Sequence, residues 1–145
     1  MGRRLRWRSR PDEGAAAVEF ALVSILLITL VFGIIQYGYY FFQLNAGTSA
    51  AREAARLAAV GLDDCDSWGD ESKDRASGVD TDSLTYSLSF EPATPTVGGK
   101  AVVQVSFPPS RFGPGIPLPS GDIFQQAKIR VEQVNTGQPS TCTYP

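Results

Sequence analysis

The apolar positions of this chain follow two patterns. From Gly14 to Phe42 they run almost unbroken, GAAAVEFALVSILLITLVFGIIQYGYYFF, with a single charge at Glu19. From residue 83 onward they come in short bursts that alternate with polar residues. The first pattern is that of a membrane helix, the second that of half-buried strands. As a helix, residues 15–42 would extend about 42 Å at a rise of ~1.5 Å per residue. A bilayer core requires about 20 apolar residues, so a membrane part at 18–42 spans it with length to spare. The run also exceeds the ~7–15-residue apolar core of a secretory signal peptide. Tyr37, Tyr39, Tyr40, Phe41 and Phe42 crowd its far end, where an interfacial aromatic belt is expected.

Beyond Phe42 the composition changes but the helical signal continues. Residues 43–60, QLNAGTSAAREAARLAAV, are rich in alanine and contain no breaker except Gly47. Ala46, Ala50, Ala54 and Ala58 form one row at a spacing of four, and Gly47, Ala51, Ala55 and Ala59 form the adjacent row. Together they make a strip of very small side chains, which permits close backbone approach by a neighbour. Arg52, Glu53 and Arg56 lie off the strip. The strip reads as a contact face for another helix or for the chain's own C-terminal domain; a merely helix-favouring solvent face is the plainer alternative. Gly61 is placed to cap this helix.

Residues 61–82, GLDDCDSWGDESKDRASGVDTD, read as an acidic loop with a short helix around 70–76. The fragment Asp64-x-Asp66-x-Trp68-Gly69-Asp70 resembles a calcium loop only in outline, because Trp68 takes a ligand position and Arg75 stands where the bidentate glutamate belongs. Three strands are predicted after it. Residues 83–90 put Leu84, Tyr86, Leu88 and Phe90 on one face. Residues 101–107 do the same with Ala101, Val103, Val105 and Phe107, and residues 123–132 with Ile123, Ala127, Ile129 and Val131, a helix up to Lys128 being the alternative for this last segment. The first two read as a hairpin with a long Pro/Gly connection, and 108–121 as an irregular Pro/Gly-rich segment. So small a sheet is marginal alone and needs a cover, for which the exported helix half is the candidate. The fold class expected is α+β: one long N-terminal transmembrane helix with a small antiparallel sheet packed on its exported half.

Charge sets the orientation. Arg3, Arg4, Arg6, Arg8 and Arg10 precede the apolar run, ahead of a turn expected at Pro11–Glu13. The positive-inside tendency therefore leaves the N-terminus in the cytoplasm and exports the rest. Without the residues up to Gly14, Lys+Arg falls from 13 to 8 and Asp+Glu from 15 to 13, taking the net charge from −2 to −5. An exported part so acidic lacks the basic surface that nucleic-acid binding needs. The chain has no histidine, and it carries no Gly-x-Ser-x-Gly elbow and no phosphate loop. No enzyme activity, cofactor, metal site or small-molecule substrate is indicated. Its two cysteines, Cys65 and Cys142, both follow the apolar run and read as a disulfide in an oxidising compartment.

Gly14 followed by AAAVEFALV, the long apolar helix, and then AAREAARLAA together resemble the TadE-like family of minor pilins, or pseudopilins, of tight-adherence (Tad) pilus systems. The resemblance is strong over 13–60 and weak over 83–132. It implies a basic leader, residues 1–14, removed by a prepilin peptidase that cuts between Gly14 and Ala15. Glu19 would then be the fifth residue of the mature chain, placed to meet the amino terminus of a neighbouring subunit. The first residue after the cut is alanine, where many type IV pilins have phenylalanine. The implied partners are the membrane, the peptidase, other pilin or minor-pilin subunits and the pilus assembly platform. The implied place is the bacterial inner membrane, in a single pass, with a route into a surface pilus and adhesion. The domain plan that follows is 1–14 leader, 15–60 helix (exported part 43–60), 61–82 acidic loop and 83–145 β domain. The competing reading is an unprocessed signal-anchored protein with an exported ligand-binding or sensing domain.

Overall fold

The computed structural model describes residues 11–110 and 119–145, with side chains from Gly14 onward. The arginine cluster and residues 111–118 of the Pro/Gly-rich segment lie outside the described residues. The first element, α1, is a 49-residue helix, Pro11–Ala59. The turn expected at Pro11–Glu13 is instead the first turn of this helix, a place that suits proline because its missing N–H would have no helical partner there. The helix passes through Gly33, Gly38 and Gly47 without a break and ends at Ala59. Gly61 follows with φ +93°, the left-handed conformation that closes a helix end. The Ala59 carbonyl, left open by that ending, accepts from the backbone N–H groups of Glu132 at 2.8 Å and Gln133 at 3.1 Å.

A second helix, α2, spans Cys65–Arg75. It starts five residues before the short helix expected at 70–76. Asp64 caps it, its carboxylate accepting from Ser67 N at 2.7 Å. That bond holds the Asp64 carboxyl below its ordinary pKa. Trp68, Gly69 and Ser72 form its buried side. The acidic stretch is thus not all loop: the one large apolar side chain of α2, Trp68, is placed where a single turn can bury it.

After a 3-10 turn at Thr81–Ser83 come four strands, β1 Thr85–Glu91, β2 Lys100–Phe107, β3 Ile123–Arg130 and β4 Thr141–Tyr144. They form one antiparallel sheet in the order β3-β2-β1-β4. The first three match the expected alternation, although the third ends at Arg130 rather than residue 132. The fourth was not expected. Its four residues have too little apolar content to mark a strand, yet Cys142 lies opposite Leu88 and Tyr144 opposite Tyr86 in β1.

One face of the sheet carries the core: Leu84, Tyr86, Leu88, Phe90, Ala101, Val103, Val105, Phe107, Ile123 and Ala127 are all buried. The last two turns of α1 and those before them cover mainly β2 and β3, while α2 lies against β4 and α1. The outer face is polar except for Phe124 and Val102. Val102 is nevertheless buried; Lys128, opposite it in register, pairs with Glu91 at 2.8 Å. That exposed pair lowers the Glu91 pKa but contributes little stability.

Two side chains tie α2 into the core. Trp68 Nε1 donates to the Ala54 carbonyl of α1 at 3.0 Å, and its ring stands edge-on to Tyr86 at 6.0 Å. The Tyr86 hydroxyl donates to the Ser72 carbonyl at 3.2 Å. A disulfide joins Cys65, the first residue of α2, to Cys142 in β4, 77 residues apart in sequence. The Tyr144 ring lies directly on Gly69, where any β-carbon would collide with it, and its hydroxyl bonds to Asp70.

Three outcomes follow from this packing. Ala55→Leu, at the fully buried helix–sheet contact, should destabilise the full chain in detergent by about 1–3 kcal/mol. Ser49→Leu on the exposed side should change it by less than about 0.5 kcal/mol. Denaturant midpoints measure both. Replacing Cys65 and Cys142 with alanine should cost about 4–5 kcal/mol in the chain-entropy treatment of so long a loop, and peptide mapping without reductant should recover the two cysteines cross-linked. Burial pushes the Tyr86 hydroxyl up to about 12. Its contribution is therefore fully present below the unfolded tyrosine value near 10 and is lost as pH rises from about 10 toward 12. Tyr86→Phe should flatten that alkaline slope in a pH series of unfolding midpoints.

Candidate functional site

The surface on which function turns is α1, and it has two parts with different surroundings. From Gly14 to Ile35 the described side chains include none that is buried; Val18, Phe20, Leu22, Ile25, Leu26, Ile28 and Ile34 are all more than half exposed. The helix is long and apolar enough to cross a membrane. Glu19 is the only ionisable side chain in that stretch and is exposed among apolar neighbours. Ala15 and Glu19 stand four residues apart, one above the other on the same helix face. Gly14, at the predicted processing position, has nothing within 4 Å of where a β-carbon would be.

From Gln43 onward the same helix is half enclosed. Ala46, Gly47, Ala50, Ala51, Ala54, Ala55, Ala58 and Ala59 are all buried. The strip of small residues is therefore occupied by the chain's own sheet rather than left open to a neighbouring helix. Its smallness has a direct use: the Phe107 ring sits against Gly47, where a β-carbon would come within 2.6 Å of Cε1. Gln43 is buried near the start of this half and accepts from the Ser110 N–H at 3.2 Å. The Thr48 hydroxyl lies 2.9 Å from both the Leu44 carbonyl, within its own helix, and Gln125 Oε1 of β3, with one proton to share between the two acceptors.

The side of α1 next to α2 is charged. Glu53 accepts from Arg75 at 2.9 Å, and Arg75 also pairs with Glu71 at 2.6 Å. The bonds to Glu71 and then to Glu53 raise the Arg75 pKa further above its ordinary value. This network lies between the two helices, and nothing in it resembles a base beside a nucleophile. Among the described residues no group of three or more His, Cys, Asp or Glu side chains is arranged to hold a metal ion. Asp64 is spent on capping α2, and Asp70 on the Tyr144 hydroxyl.

Cys65 and Cys142 are brought together as a bridge, and the alanine strip as a covered face. Gly14, Ala15 and Glu19 are all exposed, and among the described residues nothing lies within 4 Å of a β-carbon placed at Gly14. The anchoring of α2 to α1 and the sheet through Trp68 and Tyr86 was not expected, although a tryptophan inside an acidic stretch four residues from Asp64 was a usable signal for a capped amphipathic turn. No curated protein and no solved structure matches the chain. Residues 14–56, the exposed apolar half of α1 and most of the half beneath the sheet, match the family model described as TadE-like protein, so the similarity falls on the helix that organises this molecule.

Proposed function

We propose that the chain is a minor pilin of a Tad-like pilus, a structural subunit in pilus biogenesis and hence in surface adhesion. The observation that carries this reading is the continuity of α1 from a bare apolar half into a half that holds a folded head, in the segment that matches the TadE-like family. A helix of 49 residues is about 74 Å long at ~1.5 Å per residue, enough to cross a bilayer and still support the sheet beyond it. In this reading the N-terminus is cytoplasmic, residues 18–42 lie in the inner membrane and the head is exported, where the cysteines oxidise.

Prepilin peptidase cuts after Gly14 and removes the basic leader. The mature helix then starts at Ala15, with a free α-amino group one turn before Glu19. A carboxylate at the centre of a bilayer costs about 2.5–3.5 kcal/mol, less toward the edge. Near a helix start, negative charge is favoured by the helix dipole. Glu19 thus becomes an acceptor for the amine that cleavage creates, on its own chain or on a neighbour. The partners are other pilin or minor-pilin subunits and the assembly platform.

N-terminal sequencing of the protein from a host with the matching peptidase should read Ala15-Ala16-Ala17. A chain still beginning at Met1 or Gly2 would instead support an unprocessed anchor with a sensing or ligand-binding head. Glu19→Ala should leave cleavage intact and abolish or strongly reduce surface pili counted by electron microscopy. Normal piliation in that variant would remove the pairing role.

A further inference from the structure

Where α1 ends beside α2 the surface opens into a cavity of about 240 Å³. Leu57, Val60, Leu62 and the buried Trp68 give it apolar walls, and Asp63 and Glu71 add two carboxylates. Each carboxylate is engaged within the chain through one oxygen, Asp63 Oδ1 with Asn135 and Glu71 Oε1 with Arg75. An ionised carboxylate offers about four lone-pair sites, so both retain acceptor capacity. The flanking Asp64, Asp66, Asp70 and Asp74 outnumber Lys73 and Arg75. Apolar walls and a carboxylate rim together fit a long basic side chain with a forked head. An arginine lays its methylene stem on aliphatic surface and forks to carboxylates.

The same helix displays such side chains. Arg52 and Arg56 are exposed, one turn apart, on the side of α1 away from the sheet. Among the described residues Arg52 has no ion-pair partner, and Arg56 only approaches Glu53 at 3.9 Å with its side chain 75% exposed. Helical side chains lean toward the N-terminus, so Arg56 extends away from its own cavity, which lies on the C-terminal side. The cavity therefore suits an arginine from another molecule.

We infer that this cavity receives Arg56 of a second copy of the chain. The inference rests on the pilin reading, in which copies stand parallel in one membrane. If the amine at Ala15 of one copy meets Glu19 of the next, the two helices are offset by four residues, about 6 Å. That offset brings the neighbour's Arg56 level with Val60, at the wall of the cavity, so the two ends of the helix call for the same stagger. Arg56 and Leu57 project about 100° apart around the helix. The contact thus joins two different patches, a cavity on one copy and an arginine on the next, and is heterologous.

The test uses full-length chain in membranes, with a benzophenone amino acid at Val60 in one tagged copy and a second copy carrying another tag. Irradiation should give a cross-linked pair of the two tags, with the far end of the link between residues 49 and 59. Arg52→Glu with Arg56→Glu in the second copy should lower the yield about tenfold, as for loss of a close interfacial charge pair. A normal Cys65–Cys142 cross-link in peptide maps verifies that this variant is folded. An unchanged yield, or links only to other proteins, would overturn the assignment. Mature chains starting at Ala15 but unlinked at Val60 would sink the cavity contact and leave the pilin reading standing. Linked chains that still carry residues 1–14 would uphold the contact and remove the pilin reading.

Discussion

The head of this protein depends on how closely the backbone of α1 can approach the sheet. Eight consecutive positions of the packing face are alanine or glycine, from Ala46 to Ala59, and all are buried. Small side chains contribute little apolar area each. Their value lies in letting large residues from the other side fill the interface: Phe107 against Gly47, and Leu84, Tyr86, Val103 and Val105 across the middle. Full burial of a side chain of that size is worth about 1.5–3 kcal/mol. The apolar mass of the core is thus supplied by the strands, and the helix supplies proximity. A helix with leucines in those positions would hold the sheet several ångströms away and open the space that Trp68 and Tyr86 close.

The same helix meets two surroundings without any change in its backbone. Up to Ile35 its described side chains are all at least partly exposed, and from Gln43 one side is enclosed by the chain's own sheet. What changes is composition, from leucine, isoleucine and valine to alanine. Large aliphatic side chains suit lipid or a neighbouring apolar helix, and small ones suit close contact with a sheet. Between the two lie the rings of Tyr37 to Phe42, with Tyr39 and Phe42 stacked at 6.0 Å and Tyr40 and Phe41 edge-on at 6.2 Å. One unbroken element therefore makes the position of the head a fixed function of the position of the anchor.

Much of this was legible in the sequence because the signals were periodic. The two interleaved rows of small residues gave the packing face, the alternation at Leu84–Phe90 and Ala101–Phe107 gave the central strands, and two cysteines beyond an anchor gave the bridge. The misses have physical causes. Pro11 read as a turn because proline ends helices, but it also starts them. The first half of α2 read as loop, with a helix expected only around 70–76, because an acidic helix with one tryptophan has no stripe and its start depends on the Asp64 cap. β4 was hidden because four residues cannot show a period. Its place is fixed by the disulfide, by pairing to β1 and by the ring of Tyr144 on Gly69. At the functional surface, the covered face and the anchor could be read directly. The cavity beside Trp68 could not, since its walls come from α1, the following turn and α2 together.

The disulfide also sets how the head would bear tension. A pull on β4 need not travel back through β1, β2 and β3 to reach the anchor. It passes from Cys142 to Cys65 by a covalent bond and then through six residues of main chain to Ala59. β1, β2 and β3 lie off this path, so beyond Cys142 the force is carried by covalent bonds that do not slip, and the three long strands are spared from unzipping.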